Sequence, residues 1–221
     1  MFIPNLSFQT ILARAVVLLT ALPVHEAAHA WAAYKMGDNT ARYRNRLTLN
    51  PFDHIDPIGA VMILLFGIGF ARPVPVNYSA FYDRKKGIVA TNLAGPLSNV
   101  FLAWIALILA KVMMVVYAFT HMRLANGAAD VFLIMVSTNL SLAVFNLLPI
   151  PPLDGWHALQ PFIPYQWAWK IQMYERQLVW GVLLLVWFGA FDRIIGMLVS
   201  VLYRLVSAGT FFVDFIFGAL I

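Results

Sequence analysis

Three long apolar runs limit what this chain can fold into more than any other feature. They extend from about Phe8 to Tyr34, from Ile88 to about Phe119 and from Ala128 to Leu148. Each is long enough to cross a bilayer as a helix, which takes about 20 residues. In lipid every backbone polar group must be satisfied inside the protein, and a helix does this within its own segment. Composition agrees: 62% of the 221 residues are hydrophobic and only 11% are charged, against about 25% charged in a soluble domain. The expected fold is an all-α polytopic membrane protein, read as one domain over residues 1–221. Its core occupies about 8–160, and additional C-terminal helices occupy about 178–221. A soluble enzyme is excluded.

The first run is unusual in what it carries. Pro23-Val24-His25-Glu26-Ala27-Ala28-His29 places two histidines four residues apart. On a helix they sit about 40° apart in projection and one turn along the axis, so one small cation is within reach of both imidazoles. Zinc takes such ligands and is usually four-coordinate. Glu26 lies beside the pair, where a carboxylate is able to take a proton from water. This is the HExxH arrangement of zinc-dependent peptidases. Ionisable groups in a spanning segment are costly and are functional candidates by default. The chain has no cysteine, so metal ligands must come from His, Asp and Glu. Pro23 removes one backbone bond and is expected to loosen the helix near His25.

Between the first two runs the chain is polar. Gly37-Asp38-Asn39 reads as a turn. Ala41 to Leu49 alternates imperfectly and predicts a short strand. Ile58 to Ala71 is apolar but short for a span, which fits a re-entrant segment. Arg72-Pro73-Val74-Pro75-Val76-Asn77 reads as extended. Beyond the third run, Pro149, Pro151 and Pro152 interrupt the helix and present Asp154 from an irregular segment. Pro161 to Gln177 reads as a tryptophan-rich interfacial loop. Leu178 to about Tyr203 predicts a fourth span, interrupted by Asp192-Arg193, and Ala208 to Ile221 a tail helix against the bundle.

The net charge of +5 reads as loop charge on one membrane face, not as nucleic-acid binding. If Ile58 to Ala71 does not cross, Lys35, Arg42, Arg44, Arg46, Arg72, Arg84, Lys85 and Lys86 share one side with Lys170 and Arg176. By the positive-inside rule that side is cytoplasmic. His25 and His29, the Asn92–Asn99 stretch, and Asn146 with Asp154 then arrive at one depth from three distant parts of the chain.

These residues resemble the site-2 protease family of intramembrane zinc metalloproteases. The resemblance rests on HEAAH in the first run, Ala94-Gly95-Pro96-Leu97-Ser98-Asn99 in the second, and NLLPIPPLDG after the third. Asn50-Pro51, His54-Ile55-Asp56-Pro57 and Pro73 to Asn77 look most like the compact prokaryotic branch without a PDZ or CBS domain. The resemblance implies a three-helix catalytic core and one Zn2+ held by His25, His29 and Asp154, with Glu26 as catalytic base. It implies single-span membrane protein substrates, cut near the cytoplasmic face of a prokaryotic plasma membrane. Among the acidic residues only Asp154 follows a proline-broken span at the depth of the histidines.

Four further candidates stay open between two roles. Asn146 either packs a helix or hydrogen-bonds substrate. Asn99 supports the site or contacts substrate. His157 is an interfacial histidine or a partner of a metal ligand. His54 is a turn residue or lines a substrate path. Oligomeric state is open. Two rival functions use the same residues: a membrane metal-ion transporter, which needs a polar exit route, and a catalytically inactive scaffold, which has no use for Glu26.

Overall fold

The computed structural model describes residues 7–66 and 71–218. Its organisation follows from the three apolar runs. Helix α1 (Phe8–Lys35) starts at Ser7, whose hydroxyl accepts from Thr10 N, the usual way an N-cap satisfies a free N–H. Helix α5 (Arg84–Thr120) is capped by Asp83, which accepts from Lys86 N. Helix α6 (Arg123–Asn146) follows after a two-residue turn in which His121 takes a left-handed conformation (φ 54°). All three are long and apolar enough to cross a membrane, and they pack mutually.

Small residues make that packing close. Ala13, Ala21, Ala30 and Ala33 on α1, Ala103, Ala106 and Ala110 on α5, and Ala129 and Ala143 on α6 are all buried. In membranes, where lipid is as apolar as leucine, association relies on such close approach. Pro23 and Pro96 lie inside α1 and α5, and both helices run on through them. The loosening expected at Pro23 therefore does not end or split the helix. Pro23 is itself fully buried, and neighbouring helices pack around the backbone group it leaves without a bond.

The polar stretch between α1 and α5 departs from expectation. Among the described residues there is no strand. The segment predicted to be extended, Ala41 to Leu49, begins in a short helix, α2 (Thr40–Tyr43), and then turns. Arg46 N donates to Ala41 O at 2.8 Å, and Asn45 takes a left-handed φ of 52°. An imperfect alternation cannot impose a strand when no second strand lies alongside to take up the ladder hydrogen bonds. Helix α3 (Pro51–His54) follows, with Asn50 accepting from Phe52 N.

Of the segment Ile58 to Ala71, helix α4 (Pro57–Phe66) is described, and residues 67–70 lie outside the described residues. Arg14, inside α1, donates to Leu64 O at 3.0 Å and Leu65 O at 2.9 Å. It thus ties α1 to backbone carbonyls of α4. Ile55 and Ala71 form an isolated antiparallel bridge, and Arg72 N donates to His54 O at 2.8 Å. The two ends of the segment therefore meet.

After α6 the chain makes a compact turn into α7 (Asp154–Leu159). The stretch read as an interfacial loop holds a helix, α8 (Tyr165–Met173). The expected fourth span is not one helix. It is divided into α9 (Glu175–Trp187) and α10 (Asp192–Ala208). Gly189, at a left-handed φ of 71°, turns the chain between them, and Asp192 opens α10. Helix α11 (Phe211–Gly218) lies against α5, where Lys111 Nζ meets Asp214 Oδ2 at 2.5 Å. Residues 219–221 of the expected tail lie outside the described residues.

Candidate metal and active site

One turn of α1 brings His25 and His29 to the same face, with Nε2 atoms 3.0 Å apart. Asp154, the first residue of α7, points its Oδ2 at both, 3.3 Å from His25 Nε2 and 3.4 Å from His29 Nε2. Three ligand atoms thus form a nearly equilateral triangle, and among the described residues the buried Asp154 Oδ2 has no conventional hydrogen-bond partner. Tetrahedral zinc with bonds of about 2.0–2.1 Å needs ligand atoms about 3.3 Å apart. The residues present therefore fit a zinc ion, and the two nitrogens and one oxygen suit it chemically.

The outer nitrogens of the two rings point to the same conclusion. His29 Nδ1 lies 2.7 Å from Thr91 O. A carbonyl only accepts, so Nδ1 carries the proton and Nε2 keeps its lone pair for a cation. His25 Nδ1 lies 3.2 Å from the Asn99 amide. The amide oxygen of Asn99 is buried and has no partner among the described residues. Turning the amide over supplies an acceptor to the Nδ1 proton of a metal-ligating ring, since amide O and N are assigned from the network. Such partners orient ligands and fix their tautomers.

Two glycines make room. A Cβ on Gly95 of α5 would collide with His29 Nε2 and His25 Nε2, so α5 passes the imidazoles at a distance only glycine permits. A Cβ on Gly155 would strike the backbone of Leu147 and Leu148. The start of α7 is thus pressed against the end of α6, which sets the position of Asp154. Burial alone would raise the Asp154 carboxyl. With Nε2 of the rings protonated, hydrogen bonds and charge from His25 and His29 outweigh it and hold the group below the usual carboxylate range; with Nε2 bare, the same carboxylate and both lone pairs are left for a cation.

Glu26 is buried, and its Oε2 accepts from Val74 N at 3.0 Å. That donor belongs to the stretch Arg72–Asn77, which two anchors hold in place. Arg46 donates to Arg72 O at 2.6 Å. Asp38, 1% exposed, accepts from Asn77 N at 2.7 Å and from Thr40 N at 2.8 Å. The sequence identified Glu26 but not this strap. Asp38 read only as part of a turn, and nothing local indicates that a backbone N–H 48 positions away will meet Glu26.

The remaining candidates separate. Asn99 joins the cluster through His25. Asn146 closes α6, half-buried, just ahead of the turn that delivers Asp154. His54 does not join the cluster. It is wholly buried, with Nε2 2.8 Å from Thr48 O, and ties the loop after α2 to α3. His157 sits one turn beyond Asp154 on α7 and lines a separate cleft.

Comparison with known proteins adds a family to this geometry. The sequence model of Peptidase family M50 matches residues 13–168. YwhC of Bacillus subtilis, a zinc metalloprotease by name, is 43% identical over 150 residues, covering 67% of this chain and 68% of its own length. Rip2 of Mycolicibacterium smegmatis, likewise named a zinc metalloprotease, is 35% identical over 151 residues, covering 66% of this chain and 55% of its own. A relative from Methanocaldococcus jannaschii with a name of the same kind is 30% identical over 170 residues, covering 75% and 78%. No solved structure matches the chain significantly. The matched region holds most of α1, all of α5 and α6 and the whole donor triangle, and the chain belongs to peptidase family M50, the site-2 type of membrane zinc metalloprotease.

Proposed function

We propose that this chain is an intramembrane endopeptidase that hydrolyses peptide bonds in the membrane segments of single-span proteins, near the cytoplasmic face of a prokaryotic plasma membrane, as a step of regulated intramembrane proteolysis. The observation that carries this reading is the donor triangle of His25, His29 and Asp154 on a helix long enough to span. Residues 1–221 act as one integral-membrane domain. The relatives named above come from bacteria and an archaeon, which supports the prokaryotic assignment.

His25, His29 and Asp154 would hold the zinc. When bound, the ion supplies Lewis acidity toward a carbonyl oxygen and acidifies water. Glu26 is the general base. Its Oε2 is held by Val74 N, so the other oxygen is left to receive a proton from the attacking water and to deliver it to the leaving amine. Asn146, at the end of α6, is placed to hydrogen-bond the substrate backbone.

A helical substrate must unwind before its peptide bond is accessible. The stretch Arg72–Asn77, which runs past Glu26, is suited to hold it extended. Pro73 and Pro75 have no N–H, so only alternate positions donate, and one of these, Val74, already faces Glu26. The meeting of Ile55 with Ala71, and the contact of Arg14 with the last turn of α4, support a segment that dips into the membrane and returns to the same side. That topology gathers the basic residues on the cytoplasmic face.

The test is cleavage of a single-span substrate in reconstituted vesicles by the Glu26→Gln protein. The amide keeps the shape but cannot take a proton, so turnover should fall about 10²-fold or more while zinc stays bound. Undiminished turnover would remove Glu26 from the mechanism.

A further inference from the structure

A half-open cleft of about 560 Å³ lies outside the donor triangle, between the start of α5, the end of α7 and helix α8. Arg84 and Lys85 line one wall. Both are exposed, and neither has a carboxylate partner among the described residues. Trp169 on α8, Glu175 at the start of α9 and His157 of α7 also line it, and among the described residues the buried His157 Nδ1 has no hydrogen-bond partner. The protease reading uses none of these five groups.

The depth of the cleft indicates its occupant. Helix α5 has 37 residues, about 56 Å at 1.5 Å per residue, while the hydrocarbon core is about 30 Å thick. The end carrying Arg84 and Lys85 therefore reaches headgroup level. Helix α8 carries Trp167, Trp169 and Lys170, with the Lys170 ammonium over the Trp167 ring. Tryptophan at this density marks the interface. We propose that the cleft binds one phospholipid headgroup: Arg84 and Lys85 take the phosphodiester, and Glu175 takes a hydrogen-bond donor on the group beyond it, an ammonium or a hydroxyl.

Charge complementarity selects this occupant. Two cations and one carboxylate line the same cleft, matching a ligand that carries a phosphate and a hydrogen-bond donor. Trp169 and the apolar wall at Ile88 and Ile163 cover the start of the acyl chains. A phosphatidylcholine headgroup offers the phosphate but no N–H or O–H for Glu175, so it should bind more weakly than phosphatidylethanolamine or phosphatidylglycerol.

The experiment counts lipids retained by the full chain, extracted from vesicles of phosphatidylcholine mixed with phosphatidylethanolamine or phosphatidylglycerol, by native mass spectrometry. One ethanolamine or glycerol lipid should remain bound. Arg84→Gln with Lys85→Gln should reduce retention of both at least tenfold. Glu175→Gln should narrow their advantage over phosphatidylcholine without abolishing binding. Lys85→Gln alone serves as a milder variant, and zinc content reports that each protein is folded. Equal retention of phosphatidylcholine, or retention unchanged in the double variant, overturns the proposal. So does displacement of the lipid by a soluble acidic peptide but not by inorganic phosphate, which would make the cleft a peptide site. The readout is lipid mass, so a failure here leaves the protease reading untouched.

Discussion

The two halves of the molecule pack by different rules. In the α1–α5–α6 bundle the facing positions are alanine, glycine and asparagine, and large side chains such as Leu107 and Leu140 fill what remains. From α8 onward large apolar side chains point outward: Trp180, Leu184, Phe188, Met197 and Leu205 are all exposed. Helices α10 and α11 touch the bundle through Val199, Leu202 and Val206, the Trp104 indole donating to Gly209 O, and the Lys111–Asp214 pair. The bundle must hold three ligand atoms to a fraction of an ångström, and small residues allow backbones to approach that closely. The C-terminal helices have no such demand, and their outward side chains suit contact with lipid. Precision should therefore be sensitive to single atoms in the first half and tolerant in the second.

The sharpest way to break that contrast is Gly95→Leu. Any side chain there meets both imidazoles, so zinc should be absent from the purified protein and cleavage lost by about 10²-fold or more. Normal zinc content in that variant would show that the helices are not held as closely as the geometry indicates. Asp154→Ala comes next. Zinc occupancy and activity should both drop, and Asp154→Glu should rescue poorly because one added methylene displaces the carboxylate. His157→Ala should keep most of the metal, and loss of metal in that variant with full zinc in Asp154→Ala would exchange their roles.

Asn99→Ala should be milder. It removes the partner of His25 Nδ1 but no ligand, and metal affinity should fall about 10–100-fold in a chelator competition. Asp38→Asn tests the strap from the other side. One oxygen still accepts from Asn77 N or from Thr40, so zinc should be retained while cleavage falls, because Val74 no longer holds Glu26 firmly. Equal losses of both would place Asp38 in folding and not in positioning. The smallest effect belongs to the second half. Trp180→Ala on α9 should leave zinc content and cleavage within about twofold, the range of substitutions away from packed features.

Much of this was legible in the residue order. The lengths of the apolar runs predicted α1, α5 and α6, because a spanning helix makes its backbone bonds within its own segment. The spacing of His25 and His29 set their shared face, since a helix repeats every 3.6 residues whatever surrounds it. Asp154 was within reach of the same reasoning because the prolines before it cannot continue α6. The helical character of Pro161 to Gln177 and the break at Gly189 were less visible. A glycine is compatible with both a continuous membrane helix and a left-handed turn, and only its neighbours decide which.

By itself the sequence determined that the chain is a membrane helix protein, that two histidines and a glutamate share one turn, and that no thiol takes part in metal binding. These properties depend on composition or on residues a few positions apart. The tertiary structure alone decided that Ala41 to Leu49 would turn and not extend, that Gly95 would be the point of closest approach to the imidazoles, and that Val74 N would bind Glu26 across 48 positions. Those contacts join distant segments whose local preferences are weak. Their geometry is set by which backbone groups remain unsatisfied once the helices have packed, and a buried N–H or carboxylate takes the partner that the packed chain brings to it.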